Sequence, residues 1–265
     1  MTEAGRPHML ESADRVLRAL EAFTTGERDL SLSEVAHRMA LPKSSVHRLL
    51  ATLDGHGFIE QDQVTRRYRL GIRLFEIGSA AIHERGLHSA THPILEQLAA
   101  TTGETCHLAV LSDADAVYIY KIDGPSNFSM SSRVGGRAPC HATSIGKVLV
   151  AWAGEDLFKR VVWAGLRPYT SHTITKPAEL TAELARVRAQ GYALDDEEYE
   201  ENLCCAAAPV RDHAGQVIAA IGIAGPSHRV TTTSLERLVP EVVSAGRAVS
   251  RNLGYVDFTQ RAVGR

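Results

Sequence analysis

Residues 41–62 read LPKSSVHRLLATLDGHGFIEQD, and few folds accommodate that stretch. Val46, Leu49, Leu50 and Leu53 recur at i, i+3, i+4 and i+7, the spacing of one apolar stripe on an α-helix. Pro42 fits the first helical position, where its missing N–H costs nothing. Gly55 and Gly57 mark the end of the helix. If the four aliphatics face a core, helical geometry leaves Lys43, Ser44, Ser45, His47, Arg48 and Thr52 outward. That face carries small hydroxyl donors and cations near a helix N-terminus, which suits it to a polyanion.

Two shorter helices precede it. Residues 12–25 carry a stripe of Val16, Leu20 and Phe23, with Ser12 as N-cap, Asp14 in the first turn and Gly26 as the stop. Ser31 and Glu34 form a capping-box pattern ahead of Leu32, Val35, Ala36 and Met39. After the third helix, Phe58-Ile59-Glu60 and Arg66-Arg67-Tyr68-Arg69-Leu70 flank a polar turn, as in a β-hairpin. None of these helices is long enough to be stable alone. Three inward stripes closed by a hairpin make a winged helix-turn-helix. Residues 38–73 hold seven Lys and Arg against three Asp and Glu, a local excess of four positive charges. The outward face of the third helix then fits a major groove, with Arg48 able to reach a guanine edge and Arg66, Arg67 and Tyr68 on the wing beside the backbone. The competing readings are a helical bundle with a solvated face and a winged helix that contacts protein.

The 265 residues allow two domains, and the formal net charge of -2 supplies no global field toward nucleic acid. Any such attraction must come from the local cluster. The longest apolar run, 217–225, is too short for a bilayer span, and the N-terminus has no apolar signal core. Four cysteines without CxxC spacing imply reduced thiols in a cytoplasm.

Residues 71–102 read as linker helices broken at Gly86 and Pro93, with apolar positions wide enough for burial on two sides. His88 and His92 have metal-compatible spacing, but Pro93 spoils it. Beyond lie strands at 104–111 and 116–122, a helix opening after Cys140-His141 and running to about Trp152, a helix over 177–190, strands near 191–195, 204–211 and 216–224, and a long helix from a Thr233–Glu236 capping box, bent at Pro240. This is an antiparallel sheet with flanking helices, so the chain as a whole is α+β. The boundaries follow as a tail at 1–10, the winged helix at 11–70, linker helices at 71–102, a sheet domain at 103–254 and a tail at 255–265. The N–H groups at the start of the 141–152 helix favour a carboxylate. Cys205 with His141 and Asp195 invites a nucleophile reading, and the pairs Cys106-His107, Cys140-His141 and Cys204-Cys205 a zinc reading; a half-buried strand explains the first more simply, and small polar pocket-lining residues the second. No cofactor or metal is expected.

The segments LPKSSVHRLLATLDGHGFIE, YRLGIRLFEIG, GGRAPCHATSIGKVLVA and GYALDDEEYEENLCCAAAPVRDHAGQVIAAIGIAGPSHRV resemble those of the IclR-type transcription factors, in order and over residues 11–253. The resemblance implies an N-terminal winged helix-turn-helix and a C-terminal GAF-like effector domain in a homodimer or homotetramer. It implies operator DNA as partner, a small effector (often a carboxylic acid), and regulation, with repression favoured. It places the effector site at His141, Ser144, Ile145, Gly146, Asp195, Cys205, Gly222 and Ala224. Where small-keto-acid binders often have serines, this chain has Gly222 and Ala224. The resemblance therefore points to a larger acid, or a nitrogen-containing or aromatic metabolite. The rival class is a metabolite-binding protein or small-acid enzyme whose winged helix contacts protein.

Overall fold

The computed structural model describes residues 10–24, 29–83, 86–124 and 132–256. The chain divides into two compact units, Met1–Arg85 and Gly86–Arg265.

In the first unit, α1 (Glu11–Glu21), α2 (Leu32–Met39) and α3 (Lys43–Gly55) pack around Ala19, Leu30, Val35, Val46, Leu50 and Ile59, all without exposed surface. The capping box forms: the Ser31 N–H donates to Glu34 at 2.7 Å and the Glu34 N–H donates to the Ser31 hydroxyl at 3.3 Å. Ala40 then takes a left-handed conformation, φ 52°, which reverses the chain within three residues and sets α3 against α2. Two N-terminal expectations shift. The N-cap of α1 is Leu10, with no side-chain cap, rather than Ser12; Pro42 is the N-cap of α3 rather than its first helical residue, so the helix begins one residue later than expected. The stop expected at Gly26 lies outside the described residues. β1 (Ile59–Gln61) and β2 (Tyr68–Leu70) form the antiparallel wing, and Leu30 bridges to Tyr68 as a third edge. α4 (Ile72–His83) follows.

The second unit begins with α5 (Leu87–Thr102), which starts after Gly86 at φ 61° and runs through Pro93 without the expected break. Its sheet has the order β5-β4-β3-β8-β7-β6, every pair antiparallel: β3 (Thr105–Ser112), β4 (Asp115–Ile122), β5 (Arg137–Pro139), β6 (Ala193–Asp196), β7 (Leu203–Arg211) and β8 (Val217–Pro226). Strand alternation divides the core in two. Cys106, Leu108, Cys204, Ala206 and Ala208 face α5 and α9 (Thr232–Asn252), whereas Ala109, Ala207 and Ala220 face α6 (Ser144–Trp152), α7 (Glu155–Ala164) and α8 (Pro177–Gln190). The long C-terminal helix is capped by Thr231 rather than Thr233 and continues through Pro240. Among the described residues no helix is long and apolar enough to cross a membrane.

Candidate functional site

The first unit presents one polar face without internal partners. Val46, Leu50 and Leu53 anchor α3 in the core, and Leu49 is half-buried. Lys43, Ser44, His47, Arg48 and Thr52 are exposed, and Ser45 is half-buried. The Thr52 hydroxyl donates to the Arg48 carbonyl at 2.9 Å. No acid pairs with Lys43 or Arg48 among the described residues. Their charges remain available to an external anion.

The wing differs from expectation. Tyr68 is only 5% exposed and belongs to the core of the unit, so it leaves the set of groove-facing residues. Strand alternation explains this: Arg67 and Arg69 point away from the core because Tyr68 points into it. Arg67 donates to the Asp29 carbonyl at 2.7 Å and pairs with Glu34 at 3.0 Å, tying the wing to α2. Arg69 pairs with Glu60 at 2.9 Å and Arg73 with Glu76 at 2.7 Å. Arg66 is exposed at the wing turn, φ 58°, with one long contact to Gln63 at 3.5 Å. Three of the seven cations counted in the sequence are thus paired with acids and Arg38 donates to the Ala22 carbonyl at 2.6 Å, whereas among the described residues no acid pairs with Lys43, Arg48 or Arg66.

The second unit holds a cavity of about 200 Å³ on the α6 side of the sheet. Its floor is strand: His107 on β3, Tyr118 on β4, Asp195 on β6, Cys205 on β7 and Ala224 on β8. Its rim is the α6 N-terminus, with Thr143, Ser144 and Ile145, and the Arg133–Arg137 turn. Thr143 caps α6 by accepting the Gly146 N–H at 3.2 Å. The first-turn N–H groups of Ser144 and Ile145 have no acceptor within the helix, so they form the positive pole of the cavity.

Five of the eight expected effector positions fall together here: Ser144, Ile145, Asp195, Cys205 and Ala224. Three do not. The His141 ring hydrogen-bonds the Arg167 carbonyl through Nε2 at 3.0 Å and stacks on Tyr169. Gly146 is a packing glycine: a Cβ there would lie 2.4 Å from Cys140 Cα. Gly222 is another, for a Cβ would meet the Ala206 carbonyl at 2.7 Å and Ile145 at 3.3 Å. At Gly222 α6 packs close to the sheet, and Ile145 occupies the space a side chain would need.

Burial sets the protonation of the lining. His107 is pushed down to about 4 by desolvation, so it is neutral, with Nε2 at 2.8 Å from the Ser132 hydroxyl. Burial pushes Tyr118 above the usual phenol range and the Cys205 thiol well above its own, so Cys205 is not a thiolate at neutral pH. Asp195 is raised to about 7, first by burial and then by Glu198; it accepts the Glu198 N–H at 2.8 Å and a bond from the Cys205 thiol. Behind it Lys147, 1% exposed, pairs with Glu183 at 3.3 Å and with Glu198. Glu183 also pairs with Arg186. Two cations thus face three carboxyls. The excess carboxyl holds its proton more tightly than a free one does, and the strongest upward shift falls on Asp195.

Sequence reasoning missed Tyr118, Tyr199 and the buried Lys147 pair, and named His107 only within a Cys/His pair. For His107 the signal was present: it alternates with Cys106 and Leu108 on β3. Among the described residues the three Cys/His pairs considered for zinc do not converge; the acidic and thiol atoms that do cluster are those of Asp196, Glu197 and Cys204.

Comparison with known proteins agrees with this layout. Residues 12–63 match the IclR helix-turn-helix domain and residues 79–251 the bacterial transcriptional regulator IclR C-terminal domain. The chain is 38% identical over 248 residues to the HTH-type transcriptional regulator XynR of Escherichia coli (strain K12), covering 93% of this chain and 98% of that protein. It is 34% identical to the transcriptional repressor IclR of the same organism, covering 92% and 90%. A crystal structure of an IclR homolog complexed with 4-hydroxybenzoate, from Microbacterium hydrocarbonoxydans, superposes with a TM-score of 0.83 at 29% identity, covering 91% of this chain and 98% of that one. The chain belongs to the IclR family of helix-turn-helix, DNA-binding transcriptional regulators.

Proposed function

We propose that the protein is a cytoplasmic repressor that binds operator DNA through α3 and releases it when a small organic acid enters the cavity beside Asp195. The observation that carries this reading is the exposed row Lys43, Ser44, His47, Arg48 and Thr52, held outward by the buried Val46, Leu50 and Leu53. Ser45 and Arg66 flank it, with Arg67 bracing the wing against α2. The exposed apolar side chains Ile72 and Phe75 of α4, 64% and 71% accessible, favour a homodimer or homotetramer that covers them. Paired winged helices would then read two half-sites.

Organic acid is the favoured ligand class because helix N–H groups, two phenols and an Asp195 carboxyl with its pKa raised to about 7 line the cavity. A volume of about 200 Å³ equals roughly seven waters at about 30 Å³ each, enough for an acid bearing one ring. The similarity to a homolog complexed with 4-hydroxybenzoate supports the same class. Ligand affects DNA affinity only through its differential binding to two arrangements, typically about 1–3 kcal/mol of coupling. The relatives are named regulators, and the protonated Cys205 thiol weighs against nucleophilic chemistry.

Genomic fragments captured by the purified protein supply the cognate duplex. In mobility shifts Arg48→Ala is expected to lose about 1–3 kcal/mol on that duplex and to relax discrimination at one base pair. Equal loss on cognate and scrambled duplexes removes Arg48 from base readout, and no retention of any duplex at low salt overturns the proposal.

A further inference from the structure

A second concave surface lies at the other end of α6. The nine residues from Ser144 to Trp152 place it roughly 12 Å along the helix axis from the cavity rim. It is a cleft of about 390 Å³ whose lining includes Arg188, Arg211, Arg247, Trp152 and Tyr255 and no Asp or Glu.

Three guanidinium groups around one cleft repel one another unless an anion sits among them. Elsewhere in this chain arginines meet acids: Arg15 with Glu11, Arg67 with Glu34, Arg137 with Asp115 and Arg229 with Glu104. Among the described residues Arg188, Arg211 and Arg247 have no carboxylate partner. Two of them are nonetheless held in place. Arg211 follows a register shift in β7 and pairs with Val217; its backbone N–H donates to the Ser250 hydroxyl at 2.8 Å. Its guanidinium lies 5.1 Å from the Trp152 ring centroid and donates once, to the Gly215 carbonyl at 2.9 Å. Arg188 donates once, to the Ala151 carbonyl at 2.9 Å. Each guanidinium has five N–H donors, so most remain free.

We infer that this cleft is a second ligand site, separate from the acid cavity, for a compact polyanion of the phosphate-ester class. A monocarboxylate neutralises only one of the three charges. A phosphate monoester or pyrophosphate group matches both the charge and the forked donor geometry of arginine. Trp152 and Tyr255 form flat walls for an organic portion, and the volume leaves space for it.

The chain has two tryptophans, and Trp163 is 91% exposed. In the full-length Trp163→Phe protein, Trp152 is therefore the sole tryptophan, in the lining of the cleft, and is read by exciting where tyrosine does not absorb. Titration with pyrophosphate at constant ionic strength is expected to change its emission along a saturating curve. Adding Arg247→Gln, at an exposed position that does not threaten folding, is expected to move the midpoint upward about tenfold or more; Arg188→Gln is expected to do the same. A non-saturating response, a response that sodium chloride alone reproduces, or a midpoint indifferent to both substitutions overturns the site. Citrate binding as tightly as pyrophosphate overturns the phosphate class.

Discussion

Asp195→Asn probes the buried charge network directly. The carboxyl is 1% exposed, so solvent screening is minimal. Its pKa rises from 3.8 to about 7 in the folded chain, a shift of about 3 units. At about 1.4 kcal/mol per unit, that corresponds to a ceiling of about 4 kcal/mol. A folded pKa above the unfolded value means that the native state binds the extra proton between these two pH values. Stability from this group is complete below pH 3.8, falls as pH rises toward about 7, and is level beyond it. Asparagine cannot ionise, yet it retains an oxygen for the Glu198 N–H. Wild type and variant are therefore expected to unfold at similar urea concentrations near pH 4. Between pH 4 and 8 the variant should become progressively more stable than wild type, by at most about 4 kcal/mol. Titrations shared by both proteins cancel in the difference. A gap that stays constant with pH, or that opens in favour of wild type, refutes the assignment of the retained proton to Asp195.

Tyr68→Ala is expected to cost about 3–5 kcal/mol of stability in the winged-helix unit, as for other large aromatic truncations, and to show it as early loss of helical circular dichroism on heating. A variant that melts like wild type but binds DNA poorly would return Tyr68 to the interface. Gly222→Ser is expected to destabilise by about 1–3 kcal/mol, because its Cβ would lie 2.7 Å from a backbone carbonyl, whereas Ala224→Ser should fold normally and alter acid affinity alone. Thermal denaturation and calorimetric titration with benzoate-type acids separate the two effects.

The sequence made local structure legible wherever one segment contains its own reason. The α3 stripe, the Ser31–Glu34 box and the 177–190 helix needed no distant partner to be read, and all three stand in the fold. What stayed hidden depends on residues far apart. Arg67 meets Glu34 across 33 positions, so a basic wing in the sequence becomes a brace in the structure. Lys147 sits within a helix that reads GKVLVA, where a lysine ordinarily marks the solvent side; Glu183 and Glu198 invert that reading. Glycines 146 and 222 were placed in the effector site by the family resemblance. Both instead mark where α6 and the sheet touch too closely for a Cβ. α7 was passed over, although Leu157 and Val161 carry its buried face at helical spacing.

These contacts make α6 more than a rim. Its first turn supplies free N–H groups to the cavity, its Gly146 edge rests on Cys140, and its Lys147 anchors the acids behind Asp195. A carboxylate seated at the first turn adds negative charge next to a group that already keeps its proton near neutrality. For the proposed ligand, that added charge is expected to raise the protonated fraction of Asp195 further, so that acid and proton bind cooperatively. The reciprocal also holds: above the pKa of Asp195 the ionised carboxyl repels the ligand, and affinity declines with pH even though the ligand's own charge no longer changes. Under the proposed function, ligand entry is expected to be linked to the charge on the Lys147 network, since α6 carries both the first-turn N–H groups and Lys147.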